Sequence, residues 1–147
     1  MIYIDTGVLA HAYVVQESAK NRQANQLIRQ ANANDIAVIS TLTVQELLFV
    51  LAKLGIEDEV IHAAYNEVMQ LEPIAYDTAV LQRAFDLSVC IGFRNISDCI
   101  HTAIAEQHCT ELITWRRLRL LTGRGRRIRF TPTCVGTAAP SAGSPRR

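Results

Sequence analysis

The sequence lacks the features of membrane, secreted and disulfide-stabilised proteins. It has 147 residues, of which 49% are hydrophobic, yet no apolar stretch approaches the ~20 residues that a bilayer span requires. The first ten residues contain an acid and no basic residue, which is atypical of a secretory signal. We therefore expect a cytoplasmic protein with reduced thiols and no membrane association. The four cysteines form no C-x-x-C pair and no zinc-type spacing: Cys90, Cys99, Cys109 and Cys134.

Acidic residues are absent from the last part of the chain. Residues 1–115 hold six Lys/Arg against all 14 Asp/Glu, a net charge of −8, whereas residues 116–147 hold nine arginines and no acid, a net charge of +9. We expect one domain over residues 1–115 and an atypical Arg/Gly/Pro-rich tail over residues 116–147 that is disordered. A second hypothesis for the tail stays open, in which its basic run at 124–129 binds RNA phosphates in a salt-dependent way.

Short apolar runs alternate with helical patterns through residues 1–115. This alternation predicts an α/β fold with a parallel sheet and helices on both faces, in which sites lie at the carboxyl ends of the strands. The predicted strands cover residues 1–5, 36–39 and 111–115, with a short extended piece at 72–75. The predicted helices cover residues 20–32, 44–54, 56–70, 78–90 and 97–108.

Three acids stand out by position. Asp5 ends the first predicted strand, Glu46 lies within an otherwise apolar helix face, and Asp98 lies in the first turn of the last predicted helix. Each has an ordinary explanation, since Asp5 could cap the next helix, Glu46 could point to solvent, and Asp98 favours a helix N-terminus. If the three converge, their repulsion requires a cation. Hard ions such as Mg²⁺ or Mn²⁺ take carboxylate oxygens and promote phosphate hydrolysis.

Four segments in the same order resemble PIN-domain ribonucleases, in particular VapC-type toxins of toxin–antitoxin pairs. They are IDTGVL at 4–9, TVQEL at 43–47, FRNISDCIHTAIA at 93–105 and ELITW at 111–115. The resemblance covers residues 1–115. It implies a three-layer α/β/α PIN-like domain with a short parallel sheet.

The resemblance also implies an activity and its residues. Asp5 and Asp98 would be the principal ligands of Mg²⁺ or Mn²⁺, and Glu46 would complete the cluster and help to position the attacking water. Thr6 and Thr114 would support that site. The activity would be endoribonuclease cleavage of RNA phosphodiester bonds by a toxin, which implies an RNA substrate, a cognate antitoxin protein as partner and homodimerisation.

Arg116 departs from the family pattern, which places an acid shortly after the last strand. Read one base later, common codons for residues 116–119 can encode Asp-Asp-Phe-Asp, so we hypothesise that residues from 116 onward are a frameshifted product. Loss of the family's last strand would then leave the sheet edge exposed. Arg116 also favours an alternative function, a catalytically impaired PIN-fold remnant that binds antitoxin or RNA without cleaving. A third hypothesis, a DNA-directed or structure-specific nuclease, uses the same acids.

The remaining chemistry-bearing residues form no ligand set. His101 lies three residues after Asp98, and we expect it, like the other three histidines, at the surface or partly buried. Trp115 is expected to anchor the edge of the core. We expect three cysteines to be small buried residues: Cys90, Cys99 and Cys109.

Overall fold

The computed structural model describes residues 1–15 and 17–115, together with the backbone of residues 126–129. The strands are β1 (Ile2–Ile4), β2 (Ala37–Val38), β3 (Glu111–Thr114) and β4 (Arg126–Arg129). The helices are α1 (Thr6–Tyr13), α2 (Ser18–Ala33), α3 (Thr41–Lys53), α4 (Asp58–Met69), α5 (Thr78–Ile91) and α6 (Ile96–His108), with a 3₁₀ turn at Phe93–Asn95 before α6.

The sheet has the strand order β2-β1-β3-β4, so the first strand of the chain lies inside the sheet. β1 pairs in parallel with β2, where Ile2 faces Ala37, and in parallel with β3, where Ile4 faces Ile113. The carboxyl ends of β1 and β3 therefore lie side by side. An α/β sheet places its functional sites at this edge.

Side chains of β1 alternate between two hydrophobic clusters, as the period of a strand requires. Ile2 and Ile4 pack with residues of α1, α2, α3 and α4, whereas Tyr3 packs with residues of α5 and α6. Helices thus cover both faces of the sheet. The predicted three-layer α/β/α arrangement is confirmed.

The ends of α3 are set by local sequence. The Ser40 side chain accepts a hydrogen bond from the Thr43 N–H, and the Thr43 side chain accepts one from the Ser40 N–H, which is a capping box. At the other end Gly55 follows the helix with a φ of 69°, a conformation that glycine adopts without strain. α3 thus begins three residues before the predicted start at 44 and ends one residue before the predicted end at 54, and it places Glu46 in its second turn.

The last strand requires a correction to the sequence analysis. The expectation of an exposed β3 edge is wrong, because β4 pairs antiparallel with β3 along four residues, from Glu111 with Arg129 to Thr114 with Arg126. Outside the described residues lie 116–125 and 130–147. The predictions of tail disorder, of a frame change and of the role of Arg116 fall there or on the coding DNA. Among the described helices, none is long and apolar enough to cross a membrane.

Candidate metal centre

Asp5 lies at the carboxyl end of β1, where its neighbour β3 also ends. Its N–H donates to the Ile113 carbonyl at 3.1 Å, which continues the pairing of the two strands. The Thr114 hydroxyl donates to Asp5 Oδ2 at 2.6 Å. The residue is only 5% exposed. Sheet pairing and one short hydrogen bond therefore hold this carboxylate in place.

The Asp5 side chain does not cap α1. Asp5 occupies the N-cap position of α1 with extended backbone angles, yet its carboxylate makes no capping hydrogen bond. The carboxylate instead accepts from Thr114 on the neighbouring strand. It is thus directed to the sheet edge rather than to the start of α1.

Glu46 faces this edge from α3 and does not point to solvent. Its Oε2 accepts hydrogen bonds from the Thr6 hydroxyl at 2.8 Å and from His101 Nε2 at 2.9 Å. Its Oε1 accepts from the Ser97 hydroxyl. Three donors from α1 and α6 therefore fix one carboxylate on α3.

These donors keep Glu46 ionised. Burial by itself raises the pKa of this carboxyl group, but the hydrogen bonds from His101, Ser97 and Thr6 and the charge of His101 outweigh burial and lower the pKa to about 2. At neutral pH the group is an anion held by donors. Such an anion attracts cations and is a weak base.

The expectation that His101 lies at the surface or is partly buried is wrong, because the residue is only 2% exposed. Its Nε2 lies 2.9 Å from Glu46 Oε2 and 3.7 Å from Asp5 Oδ1, and its Nδ1 lies 2.8 Å from the Tyr3 hydroxyl. An ionised carboxylate only accepts, so Nε2 carries a hydrogen. The imidazole, hydrogen-bonded through both ring nitrogens, thus links the core to the site.

The Tyr3 hydroxyl connects this histidine to the start of α3. It lies 2.6 Å from Ser40 Oγ and 2.9 Å from Thr43 Oγ1, and burial raises the pKa of Tyr3 well above its ordinary value. We call Tyr3, Ser40, Thr43 and His101 the polar anchor. Each member has hydrogen-bond partners, as buried polar groups require. The anchor thus determines the ring orientation of His101.

The structure brings two of the three predicted acids into one group. Among the described residues, Asp5, Glu46 and His101 each offer a ligand atom, and these atoms lie within 4.8 Å of one another. Asp98 is not in this group; it lies partly exposed in the first turn of α6, one turn before His101. Two carboxylates at this separation suit a hard divalent cation, which prefers oxygen ligands. The donor set therefore fits Mg²⁺ or Mn²⁺.

Other predicted residues fall around this group. Thr6 and Thr114 both hydrogen-bond its carboxylates, Thr6 to Glu46 and Thr114 to Asp5. Trp115 is partly buried and packs against the hydrophobic core, as expected of an anchor at the core edge. Cys99 and Cys109 are buried as predicted, whereas the prediction for Cys90 is wrong because it is exposed.

Two of the four donors around the carboxylates, Ser97 and His101, were not predicted from the sequence. One local signal was available, since Ser97 and His101 are four residues apart and so lie on the same face of α6. The contact of Tyr3 with Ser40, Thr43 and His101 left no such signal. It depends on three segments that only the fold brings together.

Comparisons with known proteins agree with this geometry. A family model described as "PIN domain" matches residues 2–116 of the chain. No curated protein and no solved structure matches it.

Proposed function

Because the chain belongs to the PIN domain family, whose members have a nuclease-like fold, we propose that it is a metal-dependent endoribonuclease of toxin type. The observation that carries the proposal is the pair of carboxylates at the carboxyl edge of the sheet. Ligand atoms of Asp5 and Glu46 lie within 4.8 Å of each other, and four hydroxyl and imidazole donors hold the two carboxylates: Thr6, Ser97, His101 and Thr114.

Asp5, Glu46 and Asp98 would hold the ion. Asp98 belongs to this proposal because it precedes His101 by one turn on α6, so the two residues share a helix face. A bound Mg²⁺ or Mn²⁺ would supply charge neutralisation at the scissile phosphate and a more acidic water. The assignment of Asp98 as a principal ligand comes from the resemblance.

Glu46 is suited to orienting water rather than to removing a proton. A general base works best when its pKa is near the operating pH, and the pKa of Glu46 is about 2. His101 and Thr6 donate to Oε2 and Ser97 donates to Oε1, so the direction of the remaining lone pairs is fixed. We assign His101 as a positioning residue that acts on the reaction through Glu46.

The proposed partners are an RNA substrate, a cognate antitoxin protein and a second copy of the chain, with the cytoplasm as the compartment. A series of exposed apolar side chains on α5 and the 3₁₀ turn supports a contact with another chain. The rings of Phe85 and Phe93 in this series contact each other in a tilted arrangement, with centroids 5.4 Å apart. We name this series the α5 stripe: Leu81, Phe85, Val89 and Phe93, each between 44% and 64% exposed.

A second candidate function is an impaired remnant that keeps the fold and binds antitoxin or RNA without cleaving. The sequence favours it at one position, Arg116, where the resemblance calls for an acid. A cation near the carboxylates would compete with a metal ion.

Metal binding separates these candidates without knowledge of the RNA. Titration of the full chain with Mn²⁺ in a calorimeter should give saturable binding, and Asp5→Asn should lower the affinity by more than ~100-fold, since even residues around a ligand contribute 10–100-fold. Asp35→Asn is the matched control, because Asp35 is an exposed acid outside the group of Asp5, Glu46 and His101.

Cleavage and growth then test the finer proposal. The full chain should cut single-stranded RNA but not duplex DNA in Mn²⁺, and its induced expression should arrest bacterial growth while Asp5→Asn does not. A chain that binds no metal and cuts no RNA until Arg116→Asp is introduced would support the impaired remnant. Preferential cutting of DNA would overturn the assignment of substrate.

A further inference from the structure

A cavity of about 450 Å³ opens beside the metal centre between α1 and α3. Asp5 and Glu46 line it, and so do Phe49 and Lys53 further along α3. Glu46, Phe49 and Lys53 are spaced by three and four residues, so they follow one another on one helix face. About 10 Å of helix axis separates positions 46 and 53. We call this cavity the α1–α3 groove.

Two side chains of the groove, Phe49 and Lys53, are exposed to solvent and contribute little to the core. Phe49 is 67% exposed, although it lies between core residues of α3. Lys53 is exposed, and it has no ion-pair partner among the residues that the structure describes. On the α1 side, His11 Nδ1 donates to the Gly7 carbonyl at 2.8 Å, which fixes the ring. An apolar surface thus separates an acidic site from a lysine.

Along the groove an acidic site is followed by an aromatic ring and then by a lysine. This order matches the chemistry of a single-stranded RNA, in which charged phosphates alternate with aromatic bases. We propose that the α1–α3 groove binds the nucleotide next to the scissile phosphate, with its base stacked on Phe49 and its flanking phosphate bound by Lys53. Base stacking on aromatic side chains beside basic residues is typical of single-strand binding. The inference rests on the proposed function in placing the scissile phosphate at Asp5 and Glu46.

Charge favours RNA over a protein segment as the occupant. Residues 1–115 carry a net charge of −8 with only six basic residues. A lysine at the mouth of the groove with no ion-pair partner among the described residues therefore favours an anionic ligand. Lysine is depleted in protein–protein interfaces, whereas it is a common partner of phosphate. An apolar protein segment would use Phe49 but would gain nothing from Lys53.

Binding in EDTA tests the groove without cleavage. The probe is a fluorescein-labelled random-sequence RNA of about ten nucleotides, and the readout is fluorescence anisotropy with the full chain. Phe49→Ala should weaken binding about tenfold, and Phe49→Tyr should restore it. Lys53→Met should lower the salt dependence of log K by about 0.7, the contribution of one phosphate contact on a single strand, and Lys53→Arg should restore it.

Two matched variants control for exposure and charge. Tyr65→Ala removes another exposed aromatic side chain, on α4, and Lys20→Met removes another lysine, on α2, whose ammonium group pairs with Glu17. Both should bind RNA within about twofold of the unaltered chain, since neither residue lines the groove. Circular dichroism of every variant should match the unaltered chain.

The outcomes distinguish the groove from the proposed function. RNA binding by Phe49→Ala and Lys53→Met equal to that of the unaltered chain overturns the groove, even when Mn²⁺ binding and cleavage are normal. No RNA binding by any form also overturns it. Loss of RNA binding in the two variants supports the groove, even in a chain that binds no Mn²⁺ and cuts no RNA.

Discussion

Behind the carboxylates of Asp5 and Glu46, the four side chains of the polar anchor are at most 2% exposed, whereas the groove on the other side presents Phe49 at 67% exposure. The anchor is joined by hydrogen bonds of 2.6 to 2.9 Å that centre on the Tyr3 hydroxyl. None of its members lines the groove. The same two carboxylates thus have a closed polar side and an open apolar side.

This difference separates two requirements of a catalytic site. Buried polar groups are costly unless every one finds a partner, so the anchor permits few arrangements and holds the carboxylates in one geometry. Phe49 and Lys53 in the groove are exposed, so they can be changed with little effect on folding. We expect the closed side to determine stability and positioning and the open side to determine what binds.

The largest effect is expected from His101→Leu. This change removes the donor to Glu46 Oε2 and the partner of Tyr3, so cleavage of RNA should fall about 10–100-fold, as for residues that orient metal ligands. His101→Gln keeps an N–H donor and should recover part of the activity. The measurements are kcat and KM together with Mn²⁺ affinity. If both variants were as active as the unaltered chain, His101 would only fill space.

Tyr3→Phe should have the next largest effect. It deletes the hydroxyl that Ser40, Thr43 and His101 share, so the free energy of unfolding should fall by about 1–3 kcal/mol. Urea denaturation measures this loss. Tyr13→Phe is the control, because its hydroxyl donates to Glu67 at an exposed position, and it should cost less than about 0.5 kcal/mol. Similar losses in both variants would contradict the role of the anchor.

A lower pH is expected to have a smaller effect on the stability of the fold. The pKa of Glu46 is about 2 in the folded chain against an ordinary 4.5, so its ionised form stabilises the fold above about pH 4.5, and this contribution is lost as the pH falls toward 2. In EDTA, the thermal midpoint of the unaltered chain should therefore drop more steeply over that interval than the midpoint of Glu46→Gln. Parallel curves would show that the donors around Glu46 do not stabilise its charge.

The smallest effect is expected from Phe49→Ala, which should change the free energy of unfolding by less than about 0.5 kcal/mol. Leu47→Ala, two residues away and fully buried, should cost about 2–5 kcal/mol by the same urea measurement. A large loss from Phe49→Ala would place this ring in the core and remove the contrast between the two sides.

The sequence predicts the layers of the fold better than the details of the sheet. The alternating strand and helix patterns are local signals, and the structure confirms them. β2 is only two residues long, against four predicted, because it pairs with only Ile2 and Tyr3. β4 consists largely of arginine, which is not typical of strands. Its pairing with β3 uses backbone groups, for which composition gives no signal.

Two acids of the candidate site and two of its threonines could be predicted from the sequence, whereas its histidine and its serine could not. Asp5 and Glu46 stood out because a carboxylate at a strand end or within an apolar helix face is unusual. His101 has its partners Tyr3 and Glu46 at sequence separations of 98 and 55 residues, and no local pattern reports such contacts. The role of Asp98 as a ligand stays a prediction.

The position of β1 between β2 and β3 has a consequence for the order in which the protein is made. Asp5 is synthesised more than a hundred residues before its strand partner Ile113 and its hydrogen-bond donor Thr114. A nascent chain on the ribosome therefore cannot assemble the carboxylate site until β3 has emerged. For the proposed ribonuclease, this late assembly would protect the messenger RNA that is still being translated.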